Sequence, residues 1–202
     1  MTLPLLLAAV VGFNHAFEAD HVLAVGNIAN QRNNLLKAVR DGMFWGLGHT
    51  STIFAVGCLI ILGRSALEDV NFELFEAIVG ATLIVLGTYR LMKVKGGKRA
   101  YTGGVAHDHK LAYSVGLIHG LAGSGTVILL AMTQLEYTYQ SLLYLVIFGF
   151  GSILGMMVVA GVFNLPFSKR IRVGNTFQFV LLILSAVLCM GYGGWIVYGY
   201  FS

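Results

Sequence analysis

Six long apolar stretches, near residues 3–27, 42–63, 73–92, 111–133, 141–165 and 173–201, limit what this chain can become. A helix needs about 20 apolar residues to cross the hydrocarbon core of a bilayer, and each stretch is of that order. Of the 202 residues, 57% are hydrophobic and 11% charged, and the mean hydropathy is +0.79. A soluble domain cannot hide so much apolar surface. We therefore read an all-α polytopic membrane protein, a single membrane domain over residues 1–202, with six transmembrane helices. Glycine is abundant (26) and proline scarce (2), as in membrane helices, where small residues let backbones approach. Pro4 opens the first stretch and Pro166 closes the fifth, both tolerable places for proline. The first stretch lacks a basic leader and carries carboxylates where a cleavage site would lie, so it is expected to persist as a span. Cys58 and Cys189 lie in apolar runs and read as small buried hydrophobes rather than as a disulfide.

The basic residues set the orientation. If the connections alternate sides, one side receives Arg32, Lys37, Arg40, Arg90, Lys93, Lys95, Lys98, Arg99, Lys110, Lys169, Arg170 and Arg172. The other receives Arg64 alone, beside Glu68, Asp69, Glu73, Glu76 and Glu136. Basic loops stay cytoplasmic, so both termini are expected outside. The acidic side would concentrate cations near the protein, or is simply a solvated loop.

The chain also repeats itself at an offset of about 104 residues. "GFNH" (Gly12 to His15) answers "GLIH" (Gly116 to His119). "GLGHTSTIFAVG" (Gly46 to Gly57) answers "GFGSILGMMVVAG" (Gly149 to Gly161), and Gly87 answers Gly191. The halves are about 1–93 and 111–202, joined by a basic cytoplasmic loop, 94–110. Three spans per half is an odd number, so the second half inserts upside down, a 3+3 inverted repeat. Transporters built this way hold substrate near the midplane where the halves meet.

Ionisable side chains interrupt this apolar background. "FNHAFEADH" places Asn14, His15, Glu18, Asp20 and His21 inside the first span. Isolated charges at that depth are costly, so these groups must be satisfied together. At 100° per residue, His15, Glu18 and His21 share one broad side while Asp20 points away. The helix is therefore either surrounded by protein or locally unwound, and Gly12 and Gly26 would permit a break. His49 and His119 each lie nine residues from a basic flank, Arg40 and Lys110, and His21 lies eleven from Arg32. That depth is about 13–17 Å, near the midplane; His15 lies one to two turns further out. Imidazoles with a carboxylate form a ligand set for divalent Ni, Co, Zn, Fe or Mn, and the lack of thiolate or methionine ligands there argues against Cu(I).

Plainer readings stand beside this one. His119 alone could be a hydrogen-bonding tie between helices, and the His15, Asp20, His21 group could be a packing network. The hydroxyls of Thr50, Ser51 and Thr52 could bond back to their own helix or orient His49. Glu18 could be a ligand, a proton acceptor or a charge partner. "HDH" (His107 to His109) could collect metal or be a solvated loop.

"HAFEADH" has the His, four residues, Asp-His signature of the nickel/cobalt transporter family, including its urease- and hydrogenase-accessory permease relatives. "GLGHTST" resembles that family's second motif, Leu-Gly-His followed by hydroxyl residues. "HGLAGSG" (His119 to Gly125) resembles the third region, but lacks the Phe-Asp-Thr element found there in other members. The resemblance implies import of Ni²⁺ or Co²⁺ across a cytoplasmic membrane. It carries the metal role onto His15, Asp20, His21 and His49, and through the third region onto His119. Asn14, Glu18, Thr50 and Ser51 are accessory candidates.

The expected function is therefore transport of a divalent transition-metal ion, not enzymatic catalysis, with no resident cofactor. The partners are the ion and the bilayer, with homo-oligomerisation left open and no nucleic acid. A proton or small-anion transporter using the same groups as a relay is one rival, and a metal-binding maturation factor that moves nothing is another. A thiol-disulfide carrier would need cysteines where His15 and His119 stand, and so fits poorly.

Overall fold

The computed structural model describes residues 3–63, 72–95, 109–135, 137–168 and 174–202. Most of the 94–110 loop, with His107, lies outside the described residues, as do Arg64, Glu68, Asp69, Glu136 and the 169–173 basic cluster. Among the described residues the structure is helical, without strands. It comprises α1 (Leu3–His15), α2 (Ala19–Ala29), α3 (Leu35–Gly63), α4 (Phe72–Lys95), α5 (Lys110–Gln134), α6 (Thr138–Asn164) and α7 (Asn175–Phe201). A 3₁₀ turn, Leu165–Phe167, extends α6, with Pro166 in it. Four segments are long and apolar enough to cross a membrane, Leu35–Ile61, Glu73–Lys93, Thr138–Phe167 and Asn175–Phe201, and α1 is a shorter apolar helix. This is the build of a multi-pass membrane protein. Exposed apolar side chains cover its outer faces, among them Leu59, Val85, Phe150 and Trp195, as a lipid solvent requires.

The first apolar stretch is two helices. After His15 the i→i−4 ladder stops: Phe17 and Glu18 donate to the carbonyls of Asn14 and His15, and Glu18 takes an extended backbone (φ −61°, ψ 149°) before α2 starts. The locally unwound alternative is therefore the one realised. Gly12 and Gly26 do not form the break; both lie inside helices, at close approaches to Phe148 and Phe163 of α6.

Glycine sets the helix spacings. A Cβ on Gly12 would lie 2.0 Å from the Phe148 carbonyl oxygen, and one on Gly116 would lie 2.1 Å from that of Trp45. Likewise Gly151 meets the Ala9 carbonyl at 2.1 Å and Gly48 meets that of Tyr113 at 2.2 Å. Such backbone contact replaces the missing hydrophobic drive between helices in lipid. The same contacts give the directions. Trp45 and His49 lie opposite Gly116 and Gly120, so α3 and α5 are parallel. Gly42 faces Met156 and Thr50 faces Gly149, so α3 and α6 are antiparallel, and Gly80 with Gly193 and Gly87 with Met190 make α4 and α7 antiparallel. α1 runs alongside α6, and α2 lies among α3, α4, α6 and α7.

At the end where α3 and α5 begin, which carries Lys37, Arg40 and Lys110, a buried carboxylate ties three segments together. Asp41 accepts hydrogen bonds from the Arg32 guanidinium (Nε, and Nη2 at 2.8 Å) and from His109 Nδ1 at 2.8 Å. This bonding raises the Arg32 pKa above its ordinary value. His109 also stacks on Phe44, with rings 4.7 Å apart and 10° from parallel. His109 is therefore a partly buried residue at the start of α5, not a solvated loop residue. Asn164 Nδ2 donates to the carbonyls of Ala29 and Arg32 at 2.8 and 2.7 Å, satisfying groups at the α2 terminus. Removing one partner of a buried ion pair strands the other and costs roughly 3–5 kcal/mol. Asp41→Ala should accordingly lower the detergent-solubilised melting temperature well beyond the effect of Lys37→Ala, a solvent-facing neighbour.

The two cysteines are unpaired. Cys189 is buried and donates to the Leu83 carbonyl at 3.3 Å, while Cys58 is only half-buried. Two apolar clusters pack the interior. One holds Leu5, Ile53, Tyr144 and Phe148, the other Trp45, Leu83, Met156 and Val159. The histidines lie between them.

Candidate metal centre

Four helices deliver the imidazoles. α1 ends on His15, the first turn of α2 carries Asp20 and His21, α3 carries His49 in mid-helix, and α5 carries His119. All four rings are at most 8% exposed, and those of His49 and His119 are fully buried. On a continuous helix His15 and His21 would stand roughly 9 Å apart along the axis. The break after His15 brings their ring centroids to 4.5 Å. It also seats His15 against His49, with the two Nε2 atoms 3.2 Å apart. The His21 and His49 centroids are 4.8 Å apart.

Carboxylates hold two of these rings. Asp20 Oδ1 accepts from His21 Nδ1 at 2.7 Å, and Glu18 Oε1 accepts from His15 Nδ1 at 2.8 Å. The second Glu18 oxygen lies 3.9 Å from His21 Nδ1. A carboxylate only accepts, so each Nδ1 carries the proton and each Nε2 keeps its lone pair. His119 reaches the same tautomer through the Val115 carbonyl, 3.0 Å from its Nδ1. The Nε2 atoms of His21 and His119 and Nδ1 of His49 are buried without a hydrogen-bond partner among the described residues. Buried polar nitrogens are seldom left so. A carboxylate or carbonyl orienting an imidazole by its far nitrogen is the arrangement that presents the near nitrogen to a metal.

His15, His21 and His49 can each offer one ligand atom, all within 4.8 Å of one another, and so can Glu18, Asp20 and His21. Metal–nitrogen bonds of ~2.0–2.1 Å put two nitrogens of a tetrahedral ion ~3.3 Å apart. The Nε2 atoms of His15 and His49 share a hydrogen bond at 3.2 Å, close to that edge, so an ion bridging them would displace the shared proton.

The sequence expectation grouped His21, His49 and His119, with His15 as an outer approach. The three rings brought together are instead those of His15, His21 and His49. His119 stands behind His21 at 6.1 Å between centroids, and it forms no ligand cluster among the described residues. Trp45, not foreseen from sequence, packs within 5.2–5.3 Å of the His21, His49 and His119 rings. Its position one turn before His49 on α3 was the available signal. Of the accessory candidates, Asn14 lies beside His15 on the wall of the cavity described next. Thr50 and Ser51 turn elsewhere: their hydroxyls donate to the carbonyls of Gly149 and Leu47 at 3.3 and 2.7 Å. Thr52 likewise bonds the Leu117 carbonyl at 3.0 Å. Thr50 and Thr52 tie α3 to its neighbours and Ser51 bonds back to its own helix; none of them bonds the His49 ring.

A cavity of about 850 Å³ leads to this cluster. His15, Glu18, Asp20 and His21 line it together with Glu73, Glu76 and Tyr200. The wall is built from the starts of α4 and α6 and the end of α7, opposite the basic end.

This is a multi-pass helical membrane protein whose carboxylate-braced imidazoles beside an acidic cavity form a donor set of the kind that suits a divalent cation. Comparison with known proteins gives the family. The chain is 33% identical over 204 residues to the urease accessory protein UreH of Bacillus sp. (strain TB-90), a match covering 93% of this chain and 89% of that protein. It is 33% identical over 93 residues to the cobalt transport protein NhlF of Rhodococcus rhodochrous, covering 45% of this chain and 26% of that one. It is 27% identical over 100 residues to the nickel transporter NixA of Staphylococcus aureus (strain NCTC 8325 / PS 47), covering 43% and 28%. No family model and no solved structure matches. The chain belongs to the nickel/cobalt transporter family, among its urease accessory permease relatives.

Proposed function

We propose that this protein imports Ni²⁺ or Co²⁺ across the cytoplasmic membrane, through a site formed by His15, His21 and His49 with Asp20 and Glu18. The observation that carries the reading is the cluster itself: three buried imidazoles on separate helices, two of them oriented by carboxylates, each able to offer a ligand nitrogen within 4.8 Å of the others. An ion crossing from the acidic side would meet Glu73 and Glu76 first, where its local concentration rises. It would then shed water onto the imidazoles and carboxylates near the midplane. His119, with a bare Nε2 beyond His21, would take the ion next on its way inward.

We further read six spans, with α1 and α2 together making the first, both termini outside and the second half inverted on the first. The helix packing supports that reading. Exchanging α1–α2 with α5, α3 with α6 and α4 with α7 maps the α1–α6 packing onto α5–α3 and leaves the α3–α6 and α4–α7 pairs unchanged.

Flux of radioactive nickel into sealed proteoliposomes tests the proposal. Uptake above that of protein-free vesicles supports it. Measurable metal binding with no flux would favour the maturation-factor reading, which the name of the full-length relative makes worth testing. Ligand nitrogens must be unprotonated, so acidification competes with the ion. Nickel binding should weaken on acidification, and loading at neutral pH should release protons to an unbuffered medium. Binding that persists unchanged even at strongly acidic pH would exclude an imidazole site.

A further inference from the structure

The two halves correspond in position around the centre, yet among the described residues the cavity is lined by one member of each of several pairs and not by the other. Gly12 and His15 of α1 correspond to Gly116 and His119 of α5, 104 positions on. Gly12 presses on the Phe148 carbonyl and His15 packs on the Phe148 ring at 5.3 Å; Gly116 presses on the Trp45 carbonyl and His119 packs on the Trp45 ring, also at 5.3 Å. Trp45 and Phe148 are therefore counterparts, 103 positions apart. By the same register Val11 corresponds to Val115, Asn14 to Ile118 and Tyr144 to Asp41.

Val11, Asn14, Tyr144 and Phe148 line the cavity, and none of their four counterparts does. Val11 is 38% exposed whereas Val115 is 5% exposed. Tyr144 is buried but lies on the cavity wall, whereas its counterpart Asp41 is clamped by Arg32 and His109. One turn above that clamp, the Trp45 indole lies parallel to the His49 ring (8°, 5.3 Å) and edge-on to His21 at 5.2 Å. Its Nε1–H is buried without a hydrogen-bond partner among the described residues, so packing in the apolar cluster and against the imidazoles, not hydrogen bonding, holds the indole in place. A side chain held that way can rotate without breaking a hydrogen bond.

We propose that Trp45, backed by the Asp41–Arg32–His109 clamp, is the inner gate of the ion path, with Phe148 its counterpart on the outer side. The inference rests on the transport reading. It adds that the described conformation is open toward the acidic side, and that release inward requires the Trp45 indole to swing off His49 and the Asp41 clamp to part. The outer wall around Phe148 and Tyr144 would then close as its counterpart opens.

Cysteine accessibility in membrane vesicles tests this. In a Cys58→Ser, Cys189→Ala background, Val11→Cys should react with a membrane-impermeant methanethiosulfonate from the acidic side. Val115→Cys should resist the same reagent from the basic side. Adding Trp45→Ala should raise Val115→Cys labelling about tenfold, because the gate equilibrium shifts toward the open inner state. Asp41→Asn, and Trp45→Phe if the alanine variant does not fold, should raise labelling in the same direction. Val115→Cys that stays unreactive in these variants, or that already reacts as fast as Val11→Cys in the parent, overturns the gate. Labelling needs no transported ion. A parent that shows the asymmetry but carries no nickel overturns the transport reading instead.

Discussion

His21→Ala should reduce nickel flux in proteoliposomes to the level of protein-free vesicles while the protein still inserts and purifies. His21 touches every other member of the centre. Its ring lies 4.5 Å from His15, 4.8 Å from His49 and 6.1 Å from His119, and it is braced by Asp20 at 2.7 Å. Deleting it removes a ligand from the cluster and also severs the His119 ring from the others. Asp20→Asn keeps the ring but exchanges an obligate acceptor for a group that also donates. Loss of such an orienting partner costs about 10–100-fold in metal affinity, so this variant should bind nickel weakly yet measurably. Equilibrium dialysis of both variants separates the two roles. His21→Ala with unchanged flux would remove the centre from the ion path.

The second large effect concerns the backbone. Gly12→Ala and Gly116→Ala each place a methyl about 2 Å from a carbonyl oxygen of the facing helix, which no rotamer can relieve. Overpacking of this kind costs ~1–3 kcal/mol, occasionally more. Because the two contacts are counterparts, the two losses in thermal stability should be similar. Gly191→Ala and Gly194→Ala, with open space around each, should leave the melting temperature nearly unchanged. Unequal losses at Gly12 and Gly116 would argue against equivalent halves.

Much of this was legible in the chain. A helix, or in the first stretch a pair of helices, stands in each expected apolar stretch, four of them long and apolar enough to cross a membrane, and the ionisable residues of the first stretch stood out against that background. The seam after His15 was readable as a need, since four ionisable groups cannot share one stripe, but its position was not. Nothing in the periodicity separates a break at Ala16 from one at Gly12. That position decides which rings meet: it moves His15 into the cluster and leaves His119 behind. Trp45 and His109 escaped for a related reason. Each gains its meaning from a residue distant in sequence, His119 for one and Asp41 for the other, and depth counting along single helices cannot pair them. The hydroxyls of Thr50 and Ser51 looked like ring partners by proximity in sequence, but helix geometry turned them to carbonyls.

Glu18 and Asp20 give the centre two negative charges, matching the two positive charges of the proposed cargo. A loaded centre is then electrically balanced, and an empty one is not. Because these carboxylates are fixed in the helices, the ion and not the centre would carry charge through the membrane field, at ~2.3 kcal/mol per charge per 100 mV over the full span.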